Sequence, residues 1–203
     1  MEKFYFERPS LERKEKAIEY INEHVEANSN INGSGGLDII LEGVSYEEWL
    51  EDVLLCENKD YANTKGLVPA TTYFTIRESD NKIIGMINFR HYLNDFLRKS
   101  GGHIGYGIRP TERRKGYAKM QLYMALKEAS KLNIDSVMVS CLDTNIGSEK
   151  TILALGGILD RIEHHEGKNK NEKIHFIDVK ESLEKYKDLY DEYVIEKGGI
   201  KCQ

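Results

Sequence analysis

A basic, glycine-containing segment in the middle of the chain has the residue types of an anion-binding loop. Residues 110–118 read PTERRKGYA and lie between a predicted strand, 103–109, and a predicted helix, 115–131. The first N–H groups of a helix have no acceptor inside it, and the helix dipole is positive there, so a phosphate fits. Gly116 allows close backbone approach. Three side chains add positive charge: Arg113, Arg114 and Lys115. The segment therefore predicts a phosphate site.

The composition describes a soluble globular protein rather than a nucleic-acid or membrane protein. The chain has 203 residues, of which 40% are hydrophobic and 31% charged, and its formal net charge is −5. No basic face with interleaved aromatics is present, so we expect no nucleic-acid partner. No apolar run approaches the roughly 18 residues of a membrane span, so we expect no membrane partner. Three dispersed cysteines, Cys56, Cys141 and Cys202, argue against disulfides and zinc and favour a reducing cytoplasm.

The elements around the loop form an α/β pattern. Before it, we predict a short strand at 4–6, helices at 10–27 and 45–56, and a hairpin of 71–77 with 82–91. After it come a strand at 135–141, a helix at 146–155, a hairpin of 157–165 with 172–179, and an amphipathic helix at 181–197. This order predicts a mixed α/β sheet with helices on both faces.

The loop spacing and the element order resemble those of the GNAT superfamily of acyl-CoA N-acetyltransferases. The spacing Arg113-x-x-Gly116-x-Ala118 is similar to the family's pyrophosphate loop, and the segment 145–157, NIGSEKTILALGG, is similar to the block after its fifth strand. Neither G-x-x-x-x-G-K-[ST] nor G-x-G-x-x-G is present. The resemblance implies a GNAT domain at 1–179, followed by a helical extension at 180–203. The residues at 90–91 and 102–110 resemble those of a bacterial branch of predicted acetyltransferases.

The resemblance implies acetyl-CoA as cosubstrate and no metal. Strands 103–109 and 135–141 would splay apart and admit the pantetheine arm. The residues expected at the cofactor are Ile108, Arg113, Arg114, Lys115, Gly116, Tyr117, Ala118, Asn145 and Ser148. Two alternatives stay open: a strand bend without a ligand at Gly105 and Gly107, and ordinary helix capping by Asn145 and Gly156.

Two positions that carry catalytic groups in many family members hold other residues here. The usual Tyr is Ile152, and the usual Glu is Gly102. We expect His103 as general base, because an unperturbed pKa of about 6.5 suits that role. His91 is the second candidate, and a structural or surface histidine is the alternative for either residue. Tyr106 and Tyr117 are the nearby candidates for the proton donor to the thiolate, and we expect Tyr106, with water as the alternative. His164, His165 and His175 are expected on the solvated surface.

The sequence therefore predicts a cytoplasmic N-acetyltransferase in which a primary amine of a small molecule or peptide attacks the thioester directly. The alternative is a catalytically silent acyl-CoA-binding or sensor module of the same fold. Acidic residues on the second helix, Glu47, Glu48, Glu51 and Asp52, predict either a site for a cationic acceptor or a solvated face. The tyrosine stripe 186, 190 and 193 predicts packing against the domain or against a second subunit in a homodimer.

Overall fold

The computed structural model describes residues 2–165 and 170–196. Its strands are β1 (Phe4–Glu7), β2 (Ala70–Arg77), β3 (Lys82–Arg90), β4 (Ile104–Ile108), β5 (Ser136–Leu142), β6 (Ile158–His165) and β7 (Lys170–Asp178). Its α-helices are α1 (Lys14–Glu26), α2 (Tyr46–Leu55), α3 (Lys59–Thr64), α4 (Asp95–Lys99), α5 (Tyr117–Lys131), α6 (Ile146–Ala154) and α7 (Val179–Tyr190). The predicted α/β order is confirmed, and the short helices α3 and α4 add to it.

The strands form two sheets in which every ladder is antiparallel. The first has the order β1-β2-β3-β4 and the second β5-β7-β6. The predicted hairpin of the first sheet is β2 with β3, with a register irregularity between Thr75 and Ile76. In the second sheet β6 pairs with β7, and the connection between them lies outside the described residues.

Among the described residues, backbone hydrogen bonds join the two sheets at the base of a gap between β4 and β5, which we call the splay. There an isolated bridge pairs Gly102 with Val139, and the His103 N–H donates to the Met138 carbonyl at 2.8 Å. Past this point no ladder joins the described residues of β4 and β5. The edge of β4 is therefore open where the resemblance places a pantetheine arm.

Helices cover both faces of the first sheet, because side chains alternate along each strand. On the front face, α1 and α2 pack against Phe74 and Met86 through residues such as Tyr20 and Trp49. On the back face, α5 packs against β3 and β4 through a stripe that includes Leu122. Helix α2 begins with a capping box of Ser45 and Glu48, a local pattern that can be recognised in the sequence.

Helix α7 docks on its own domain. The rings of Tyr123 on α5 and Tyr190 on α7 lie 5.2 Å apart, and the Tyr123 hydroxyl donates to Asp191 at 2.9 Å. The chain then reaches β1, where the Ile195 N–H donates to the Phe4 carbonyl at 2.8 Å. Of the two predicted roles for the tyrosine stripe, packing against the domain is the one the contacts support.

Three further observations bear on the sequence predictions. His175 is fully buried, so its prediction as a solvated residue is wrong; it pairs with Val139 of β5 under the core. Cys141 is buried in the core. Within residues 2–165 and 170–196, no helix has the length and apolarity needed to cross a membrane.

Candidate active site

The loop before α5 presents a row of unpaired backbone donors. Arg114 and Gly116 both have left-handed backbone conformations, with φ of 64° and 87°. Gly116 is the N-cap of α5 and no side chain caps it. Among the described residues, no group accepts a hydrogen bond from the N–H groups of 114–118. Successive N–H groups in such a turn, at the positive end of a helix, form a concave anion site.

Gly116 is required here by backbone conformation rather than by crowding. A Cβ built on it would meet no described heavy atom within 4 Å. Its φ of 87° is a conformation that costs other L-residues about 1–2 kcal/mol. The space beside Gly116 is thus open to a ligand.

The cations of the loop have different tasks. Arg113 turns back, and its Nε donates to the Ile108 carbonyl at 3.0 Å and its Nη2 to the Ser29 hydroxyl at 2.6 Å. Lys115 pairs with Glu112 at 2.9 Å. Arg114 is exposed and forms no ion pair within the described part of the chain. Arg113 therefore fixes the loop, and Arg114 is available to an anion.

Glu112 anchors the loop from behind, a role that the sequence did not reveal. Its carboxylate accepts from Arg77 at 2.9 Å, from Lys82 at 3.1 Å and from Lys115 at 2.9 Å, and its side chain is 4% exposed. Burial alone would raise its pKa, but the hydrogen bonds from Arg77, Lys115 and Lys82 outweigh it and lower the pKa to about 2. The network ties the loop to β2 and β3.

The glycines of β4 are explained by a close backbone approach from the protein itself. A Cβ at Gly107 would lie 2.7 Å from the Asn32 carbonyl oxygen, and one at Gly33 would lie 2.5 Å from the Gly105 carbonyl oxygen. The segment after α1 therefore lies directly on the front face of β4. The absence of side chains at Gly105 and Gly107 is therefore explained by the close approach of this segment.

Tyr106 reaches across the back of the splay to α6. Its hydroxyl lies 2.7 Å from the Ser148 hydroxyl, and the Asn145 side chain accepts from the Ser148 N–H at 3.1 Å as the N-cap of α6. Burial raises the pKa of Tyr106 to about 12, with the hydrogen bond from Ser148 opposing it. The phenol is therefore protonated at neutral pH and can donate a proton. Tyr106, Ser148 and Asn145 are thus brought together.

His103 lies at the base of the splay and is held neutral. It is 8% exposed, and its Nδ1 accepts from the Met138 N–H at 3.0 Å, so the neutral ring carries its proton on Nε2. Burial, followed by the charges of Arg98 and Arg90, lowers its pKa to about 4. This arrangement suits a residue that positions β4 against β5, because neither nitrogen has a free lone pair.

The two departures from the family pattern have structural reasons. Ile152 is fully buried in the core under α6, where Gly157 packs against it. Gly102 has a φ of 61°, and a Cβ there would lie 2.9 Å from the Met138 carbonyl carbon, so no larger residue fits. Neither position faces the splay with a side chain.

Two charged residues near the base of the splay were missed in the sequence. Arg90 on β3 donates from Nη1 to the carbonyls of Gly101 and Gly102 at 3.0 and 2.9 Å. Glu172 on β7 accepts from the Ser100 hydroxyl at 2.5 Å, from the Gly101 N–H at 3.2 Å and from the Ser140 hydroxyl. Both hold the turn that leads into β4.

The remaining predicted residues take part in structural contacts. Tyr117 turns its ring to Phe4 of β1, at 5.0 Å, and contributes its backbone N–H to the loop. On α2, Glu47 pairs with Lys14, Glu48 caps the helix, and Asp52 accepts from Tyr61. These contacts favour a solvated helix face over a receptor for a cationic acceptor. No cluster of His, Cys, Asp or Glu that could hold a metal occurs in residues 2–165 and 170–196.

Comparisons with known proteins agree with this geometry. Residues 42–158 match the model of the acetyltransferase (GNAT) domain. The ribosomal-protein-S5-alanine acetyltransferase from Vibrio fischeri superposes with a TM-score of 0.62 at 14% identity, over 85% of this chain and 91% of that one. The microcin C7 self-immunity acetyltransferase MccE, solved with acetyl-CoA and AMP, gives 0.60 at 17% identity, over 87% and 92%. The spermidine/spermine N-acetyltransferase SpeG from Vibrio cholerae gives 0.59 at 14% identity, over 90% and 98%.

A comparison with curated proteins gives no significant match. At 14–17% identity the solved structures establish the fold alone. The family model, however, spans more than half of the chain and includes the loop, β4, β5 and α6. The chain therefore belongs to the GNAT family of acetyltransferases.

Proposed function

We propose that this protein is an acetyl-CoA-dependent N-acetyltransferase that acts on the primary amine of a small molecule or peptide. The observation that carries the proposal is the row of unpaired N–H groups at 114–118, at the end of an open strand edge, in a chain of the acetyltransferase family. When bound, acetyl-CoA supplies an activated thioester to an amine.

The residues of the loop fit a pyrophosphate group. The N–H groups of 114–118 are free to donate, the space beside Gly116 is open, and Arg114 adds an unpaired cation. Ile108 contributes the carbonyl that Arg113 uses to fix the loop. Asn145 and Ser148 border the other side of the splay.

The chemistry proposed for this chain divides between the two faces of the splay. The open edge of β4 offers backbone N–H groups that can stabilise an oxyanion. Tyr106, on the back face, gives its proton to the leaving thiolate, and its pKa of about 12 keeps it protonated until then. The proton that the amine nitrogen loses on forming the amide returns to the phenolate through water, so that Tyr106 is restored. His103 positions the base of the splay. Holding the two reactants together can supply about 7–11 kcal/mol, so the mechanism needs no protein base for the amine.

Calorimetric titration with acetyl-CoA, with desulfo-CoA and ATP as controls, tests the site. We expect micromolar binding of acetyl-CoA and weaker binding of ATP. Thiol release measured with a panel of polyamines, amino acids, aminoglycosides and peptides then tests turnover. Absence of binding would refute the cofactor assignment. Binding without thiol release from any amine would refute the enzyme and support the silent acyl-CoA-binding module.

Tyr106→Phe tests the proton donor. We expect kcat to fall by about 10²–10⁴-fold, the range for a general acid, while the Kd for acetyl-CoA changes by less than about threefold. Ser148→Ala is the matched control, because it removes the 2.7 Å partner and leaves the phenol in place. A Tyr106→Phe enzyme with the kcat of the parent would exclude the role.

A further inference from the structure

An arginine at the base of the splay forms no salt bridge within the described residues. Arg90 ends β3 on the front face and is half-buried. Both of its hydrogen bonds go from Nη1 to the neutral carbonyls of Gly101 and Gly102. No described carboxylate forms an ion pair with it. Partial burial of a charge without a paired ion is unfavourable, so a half-buried cation of this kind favours an anionic ligand.

The free side of the guanidinium faces the strand that borders the splay. Its Nη2 lies 3.5 Å from the place that a Cβ at Gly105 would take, and Gly105 itself is half-exposed. The Cα of Gly33 lies 3.6 Å from the same place, so the free side of Arg90 opens between β4 and the segment after α1. The two bonds from Nη1 fix the group, so little side-chain freedom remains to be lost on binding.

The surroundings keep the site positive. Burial lowers the pKa of Arg90, and the negative charge of Glu172, whose oxygens accept from Ser100, Gly101 and Ser140, acts in the opposite direction. Glu172 therefore offsets one positive charge of this region. His103 is neutral, and Arg98, exposed in the last turn of α4, adds a second positive charge. A local positive potential in a chain of net charge −5 selects an anionic group at this point.

We propose that Arg90 binds a carboxylate of the acceptor, so that the substrate is an amine with a carboxylate a few bonds from its amino group. This inference rests on the proposed N-acetyltransferase function. Neighbouring strands lie about 4.7–4.9 Å apart, so a carboxylate held over β4 leaves the amino group about one strand spacing away, in the splay. A distance of this order between carboxylate and amino group fits α-, β- and γ-amino acids.

The first test uses the unmodified protein and matched pairs of amines. Thiol release from acetyl-CoA is measured with alanine against alaninamide, β-alanine against β-alaninamide, and γ-aminobutyrate against its amide. A hydrogen bond to a charged group corresponds to a preference of about 10- to 150-fold in kcat/KM for the carboxylate. The amino groups of the amides are less basic, so a larger fraction of them is unprotonated and reactive at neutral pH. Intrinsic reactivity therefore favours the amides, and a measured preference for the carboxylates would come from binding.

Variants then assign the preference to Arg90. Arg90→Gln is expected to raise KM for the carboxylate amine by about the same factor and to leave the amide within about threefold. Arg90→Lys keeps the charge but not the paired hydrogen bonds to the carbonyls of Gly101 and Gly102. It replaces Arg90→Gln in this test if Arg90→Gln does not fold. Lys99→Gln is the matched control, because it removes an exposed cation that lies beside Arg98 in the last turn of α4 and has no part in the proposed site, and we expect a change below about threefold.

The outcomes separate the two proposals. If acetyl-CoA does not bind, the proposed function itself fails. If the protein acetylates neutral amines as well as or better than their carboxylate partners, the function stands and the role of Arg90 is refuted. An equal preference in the parent and in Arg90→Gln would refute it as well.

Discussion

Gly116→Ala separates the backbone requirement of the loop from its role in binding. Gly116 has φ 87° and ψ −6°, and a Cβ there would meet no described atom within 4 Å. The substitution therefore introduces no clash inside the protein. It introduces a conformational penalty and a methyl group in the space where we expect the pyrophosphate.

The magnitude follows from the conformation. A left-handed backbone costs a non-glycine L-residue about 1–2 kcal/mol. If the loop keeps its shape, the free energy of unfolding falls by that amount and the new methyl group obstructs the anion. If the loop instead relaxes to another conformation, its N–H groups no longer point to one place. Binding must then return the loop to its left-handed conformation, and the binding free energy becomes about 1–2 kcal/mol less favourable. Since about 1.4 kcal/mol is tenfold in Kd, acetyl-CoA should bind roughly 5- to 30-fold more weakly.

Gly43→Ala is the matched control. Gly43 has φ 98° and ψ 4°, and it too has no described atom within 4 Å of a Cβ, but it ends the 3₁₀ turn at 37–42. Denaturant unfolding should show a similar loss of stability in both variants. Calorimetry should show a weaker Kd only in Gly116→Ala. Equal acetyl-CoA affinities in both variants would refute the loop as the phosphate site.

Two further predictions concern ionisation. Glu112→Gln should lower the free energy of unfolding at pH 7 by about 3 kcal/mol, since a pKa lowered to about 2 from 4.5 corresponds to about 1.4 kcal/mol per unit. That stability is fully present above about pH 4.5 and is lost as pH falls through 2, so denaturant unfolding should give a shrinking difference between the proteins; a constant one would contradict the buried network. For His103, the pKa of about 4 lies below its ordinary 6.5, so the unfolded chain binds the extra proton first and stability rises with pH between 4 and 6.5. His103→Asn should remove up to about 3 kcal/mol of this rise in unfolding titrations, and an unchanged pH dependence would argue against a buried neutral ring.

Features that depend on short stretches of chain were predictable from the sequence. The loop at 110–118 is a strand-to-helix turn with Gly116, and residues next to one another in the chain decide its shape. Hydrophobic periodicity predicted the hairpin of β2 with β3 and the helix α5, and a capping serine predicted the start of α2. These signals are readable because they act within a few residues. Most boundaries moved by one or two residues. Helix α1 begins four residues later than predicted, because a 3₁₀ turn precedes it, and α7 ends at Tyr190 rather than at 197, because a second 3₁₀ turn follows it.

Features that join distant segments were decided only by the tertiary structure. Glu112 anchors the loop because β2 and β3 bring Arg77 and Lys82 to it, and no pattern near Glu112 indicates them. Arg90 and Glu172 are more than eighty positions apart in the sequence, yet both hold the turn before β4. Local sequence fixes backbone shape through sterics and hydrogen bonds between near neighbours, whereas the charge, burial and pKa of a side chain depend on what the fold packs against it.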